Sequence, residues 1–85
     1  MQQDVTFVGH VSYVLTILQL KSENICTGSR DGTIKFWSKE GKCLRTLKGH
    51  SGPVTSLIQL KNGRIVSASF DKTIKIWSLD GTAQE

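Results

Sequence analysis

His50, Ser67 and Asp71 are the three residue types of a hydrolase triad, and His10, Thr27 and Asp31 come close to a second set. Read as chemistry, the histidine would take a proton from the hydroxyl and the carboxylate would orient the imidazole. Three features of the sequence oppose that reading. The set occurs twice, and a small enzyme has little use for two equivalent triads. No G-x-S-x-G turn presents either hydroxyl. The exchange of Ser67 for Thr27 weakens a nucleophile but hardly changes a hydrogen bond. Other chemistries fare no better. "GHSGP" at 49–53 lacks the lysine and helix of a phosphate cradle, and there is no His-Glu metal motif. Cys26 and Cys43 have neither C-x-x-C spacing nor a histidine cluster around them, so no metal and no cofactor is expected.

The elements that would position these residues are short strands. "RDGTIKFWS" at 30–38 returns as "FDKTIKIWS" at 70–78, an offset of about forty residues. Gly9-His10 and Gly49-His50 keep that offset, as do Val14 and Val54, and Ile25 and Ile65. Runs rich in Val, Ile, Thr and Leu alternate with Gly, Asn, Asp and Ser clusters, without a sustained helical period. Strands are predicted over 4–8, 14–20, 24–29, 33–38, 43–47, 54–60, 64–69 and 73–78. Alternation puts Ile34 and Phe36 on one face of the third unit strand, opposite Thr33, Lys35 and Trp37. Ile74 and Ile76 keep the same parity.

Four short antiparallel strands per unit, repeated, make an all-β fold of β-propeller blades. "FVGHVSYVLTILQLKSENICTGSRDGTIKFWS" and "LKGHSGPVTSLIQLKNGRIVSASFDKTIKIWS" each resemble a WD40 repeat. The shared marks are Gly-His, a hydrophobic strand, a small-residue strand, Asp, and Trp six residues later. Ser38 and Ser78 stand where the family usually has Asp after the Trp. The resemblance implies residues 9–48 as a first repeat and 49–85 as a second without its outer strand, preceded by an outer strand in 1–8. It also implies a buried structural tetrad in each repeat: Trp37, Thr27, His10 and Asp31, then Trp77, Ser67, His50 and Asp71. Propellers of this family act as interaction platforms without catalysis. Mapped by position, the partner-binding face would hold Tyr13, Leu15, Arg30, Pro53, Thr55 and Phe70, and the partner would be a protein or peptide. Tyr, Phe and Arg are enriched at interface hot spots.

Composition bounds these expectations. The chain has 85 residues, 38% of them hydrophobic, which allows one small domain of marginal core. The formal net charge is +4, but the basic residues are spread along the chain and interrupted by acidic ones. That pattern is a solvated surface and argues against nucleic acid, with a weak nucleic-acid or anionic-surface binder as an alternative. "MQQDVTF" is not a signal peptide, and "VLTILQL" at 14–20 is too short to cross a membrane. The two cysteines are expected to be reduced, in a cytoplasmic or nuclear setting. Two repeats cannot close a ring, and their flanks would leave apolar faces and Trp37 or Trp77 partly bare. Two arrangements supply the missing blades. The chain is a structural fragment of a longer propeller, the alternative in which it has no binding site of its own, or it forms a homo-oligomer in which the 1–8 strand of one copy completes the last blade of the next. About three or four copies would close such a ring, with four favoured.

Overall fold

The computed structural model describes residues 5–78. Its strands are β1 (Val14–Gln19), β2 (Ile25–Ser29), β3 (Thr33–Trp37), β4 (Cys43–Lys48), β5 (Val54–Gln59), β6 (Ile65–Ser69) and β7 (Ile74–Trp77). They form two antiparallel meanders, β1-β2-β3-β4 and β5-β6-β7. Each strand is short because turn residues cut it. Leu20 N–H donates to the Asn24 carbonyl and Leu60 N–H to that of Arg64, both at 2.8 Å, so the two hairpins close alike. The φ angles there are positive, 75° at Glu23 and 94° at Gly63. Only glycine adopts that conformation without strain.

The registers repeat as well. Thr27 lies opposite Lys35 and Ile17, and Ser67 opposite Lys75 and Leu57. In β1 the ladder skips between Val14 and Thr16, and in β5 between Val54 and Ser56. Leu15 and Thr55 are therefore the extra residues of matching bulges, which turn a side chain away from the ladder.

The sheets pack face to face. Cys26, Gly28, Ile34 and Phe36 point toward Val54, Leu57 and Ile65, and most of these side chains share one buried cluster with Leu47 and Trp77. The fit is close at Gly28, where a Cβ would come 2.6 Å from Val54 Cγ1. Fully burying a side chain such as Val54 contributes roughly 1.5–3 kcal/mol. Across the same junction, Lys21 N–H donates to Gln59 Oε1 at 2.8 Å and Lys21 Nζ to the Lys61 carbonyl at 2.6 Å.

Two expectations are corrected. Val5–Val8 carry no strand, and Asp4 lies outside the described residues. A strand needs a ladder partner, and among the described residues this segment joins the ladder of neither sheet. Trp37 and Trp77 are not bare, being 1% and 2% exposed. The Phe7 ring covers Trp37 at a centroid distance of 5.4 Å, and Trp77 is covered by the neighbouring sheet.

Candidate functional site

The second unit builds a closed polar chain. Trp77 Nε1–H donates to Ser67 Oγ at 2.8 Å. Ser67 Oγ lies 2.6 Å from His50 Nε2, and His50 Nδ1 lies 2.9 Å from Asp71 Oδ2. With the indole hydrogen fixed on Ser67, the hydroxyl hydrogen goes to Nε2, and Nδ1–H then donates to the carboxylate. Asp71 also accepts from Ser51 N–H and Thr73 N–H, and from the Thr73 hydroxyl at 2.5 Å. The Thr73 hydroxyl, the imidazole and the two N–H groups outweigh desolvation and hold the Asp71 carboxyl far below the usual range. Strand parity places Trp77 and Ser67 on one face of the sheet, while the turn before β5 brings in His50.

The first unit differs. Trp37 Nε1–H donates to Thr27 Oγ1 at 2.8 Å, and Thr27 Oγ1 lies 2.6 Å from His10 Nε2. His10 Nδ1, however, faces Thr33 Oγ1 at 3.3 Å, and the Thr33 hydroxyl donates to Asp31 Oδ1. Here the chain runs from imidazole to carboxylate through Thr33. His10 is half-buried where His50 is buried. Its pKa is lowered by desolvation, which outweighs the attraction of Asp31. Burial alone would raise Asp31, but hydrogen bonds from Thr33, Val11 and Ser29 lower it.

Neither set is arranged for nucleophilic attack. Ser67 is 0% exposed and Thr27 5%, and each hydroxyl is already engaged by an indole and an imidazole. A substrate carbonyl cannot reach them. What the networks do is tie the loop before each first strand to the turn between the second and third strands. Thr33 and Thr73, with Ser29 and Ser69, belong to these networks and carry no role in the sequence reading. The forty-residue recurrence of all four was the available signal. The Ser29 and Ser69 hydroxyls donate to the carbonyls of Tyr13 and Gly52 and accept from the N–H groups of Asp31 and Asp71.

The other group of residues lies at one end of the sheet pair. Arg30 N–H donates to the Tyr13 carbonyl and Phe70 N–H to that of Pro53, at matching places in the two units. Tyr13 is 69% exposed and Phe70 74%. The Arg30 guanidinium lies 5.8 Å from the Tyr13 ring centroid, within cation–π range. Leu15 is exposed, and Pro53 and Thr55 are half-buried.

The profile of the WD40 family (WD domain, G-beta repeat) matches residues 1–38 and 41–78. The chain belongs to the WD40 repeat family. Its two sheets are propeller blades, one with four described strands and one with three. Forty residues are 52% identical to F-box/WD repeat-containing protein 7 of Drosophila melanogaster, covering 46% of this chain and 3% of that protein. Among solved structures, the computationally designed Ika4 protein matches at a TM-score of 0.82 and 35% identity, over 98% of this chain and 52% of that one. The WD40 β-propeller domain of Doa1 matches at 0.84 and 33%, over 89% of this chain and 26% of that one. The RRP9 WD40 repeats match at 0.83 and 26% identity, over 92% of this chain and 25% of that one. This chain therefore spans about half of the Ika4 chain and about a quarter or less of the other relatives. The WD40 propeller is a protein-interaction scaffold, and its family is generally non-enzymatic. No helix among the described residues is long and apolar enough to cross a membrane.

Proposed function

We propose that this WD40 blade pair is a protein-interaction module that binds a peptide segment of a partner protein across the end holding Tyr13, Leu15, Arg30, Pro53, Thr55 and Phe70. The observation that carries the reading is the exposure of Tyr13 and Phe70, at 69% and 74%, at matching ends of adjacent blades. Large aromatic rings held in water have no folding role to explain them. Rigid aromatic groups beside a guanidinium are what interface hot spots are made of. The bulges at Leu15 and Thr55 support the same reading, because bulges re-aim side chains at functional edges. The free thiols of Cys26 and Cys43 fit a reducing, cytoplasmic or nuclear setting.

Peptides selected from a random display library against the immobilised protein, measured by fluorescence anisotropy, test the proposal. Phe70→Ala and Tyr13→Ala should each weaken the selected peptide at least about tenfold, the scale of an interface hot spot. Glu40→Ala, in the outer β3–β4 turn, should leave it unchanged. A peptide whose binding ignores both aromatic substitutions and vanishes as salt rises would replace this reading with an electrostatic surface.

A further inference from the structure

Positions that match by sequence differ sharply in burial. Ile34 is 0% exposed and Ile74 69%; Val54 is 0% and Val14 53%; Leu57 is 6% and Ile17 68%. The cause is the neighbour, not the residue. The Ile34 face of the first blade is covered by Val54 and Leu57 of the second. Among the described residues, the Ile74 face of the second blade and the Val14–Ile17 face of the first have no such cover. These two bare faces are the two halves of the interface that the chain already makes with itself.

We propose that the chain associates head to tail with further copies of itself. The Ile74 face of one copy takes the Val14–Ile17 face of the next, and Val5–Val8 of that next copy pairs with the outer edge of β7. This is independent of the peptide-binding reading. Three observations converge on it. The polar bonds of the internal junction have their participants in place, since Lys61 matches Lys21 and Gln19 matches Gln59. Among the described residues no strand pairs with the outer edge of β7, whereas β4 covers that of β3. Finally, Phe7 matches Leu47, which lies opposite Ile34 in the β3–β4 ladder. Phe7 of the next copy would then lie opposite Ile74. It already packs on Trp37, as Leu47 shares a cluster with Trp77, so the segment stands where such a strand must run.

The recurrence is not an identical one, and the difference is informative. A Cβ at Gly28 would lie 2.6 Å from Val54 Cγ1, and one at Gly32 2.7 Å from the His50 carbonyl oxygen. Ala68 and Lys72 carry those Cβ atoms on the bare face. The incoming copy therefore stands farther back than β5 does, and the step between copies is wider than the step within one. A heterologous contact of this kind closes into a ring when the rotation permits.

Ile17→Asp and Ile74→Asp each charge one face at a position already in water. Sedimentation velocity on the full chain should show a discrete oligomer for the wild type and a monomer for each variant. An equimolar mixture of the two variants should form a dimer, since each retains the face the other lacks. Ala68→Gly with Lys72→Gly should tighten the wild-type association about tenfold, about 1.4 kcal/mol. A wild-type monomer at every concentration, an Ile17→Asp chain that still assembles, or a mixture that stays monomeric would each overturn the proposal. So would an Ala68→Gly, Lys72→Gly chain that associates no more tightly.

Discussion

Removing one hydroxyl should cost the second WD40 repeat more than the first. Ser67→Ala strips the shared partner from Trp77 Nε1–H and from His50 Nε2, groups of residues only 2% and 8% exposed. Each buried group left unsatisfied costs about 1–3 kcal/mol, so the pair costs roughly 2–6. Thr27→Val removes the matching hydroxyl while keeping the shape. It orphans the buried Trp37 N–H, but the half-buried His10 reaches water. Its cost should be about 1–3 kcal/mol, one orphaned group fewer. Urea unfolding followed by tryptophan fluorescence measures both in the monomeric Ile74→Asp background, where no neighbouring copy covers His10 and association does not shift the midpoint. Ser67→Thr, which installs the first repeat's residue, should remain near wild type. If Thr27→Val proves as costly as Ser67→Ala, or more so, the link between burial and the strength of each network is wrong.

Four further outcomes are expected. Gly32→Ala should destabilise the fold by about 2–5 kcal/mol, from a φ of 87° and a Cβ 2.7 Å from the His50 carbonyl oxygen. Lys72→Gly should instead gain about 0.5 kcal/mol, since φ is 74° there and relief of strain outweighs the added freedom of the unfolded chain; thermal melts compare the two. Acid should act in two stages. His10 has a folded pKa below 6.5, so the unfolded chain binds the extra proton and stability falls as pH drops through that value. Asp31 and Asp71 sit below 3.8, so their contribution is present above that value and lost as pH falls further. His10→Gln should abolish only the first stage of a melting-temperature profile against pH. Burial pushes the Cys26 thiol up to about 12, while Cys43 is exposed. A thiol reagent should titrate one cysteine at once and the second only in denaturant.

The readable part of this molecule is whatever a strand dictates locally. Alternation in "TIKFW" and "TIKIW", cut by Asp and Gly, placed β3 and β7, and the offset of Gly-His, Asp and Trp united the two tetrads. Cys26 fell in an inner strand and Cys43 in an outer one for the same reason. What alternation cannot carry is the environment of a repeated residue. Ile34 and Ile74 are the same letter in the same register, yet one is sealed and the other is in water, because burial is set by the sheet opposite. The Val5–Val8 segment has strand composition, but a strand exists only where an edge accepts its hydrogen bonds. The same logic separates the tetrads. His50 is enclosed between two blades and bonds its carboxylate directly, whereas His10 is only half-buried among the described residues and reaches Asp31 through Thr33. Adding a blade beside His10 should therefore draw its network toward the geometry of His50. The proposed assembly would couple to the strength of the first tetrad: anything that strengthens the first network should favour the next copy, and the reverse.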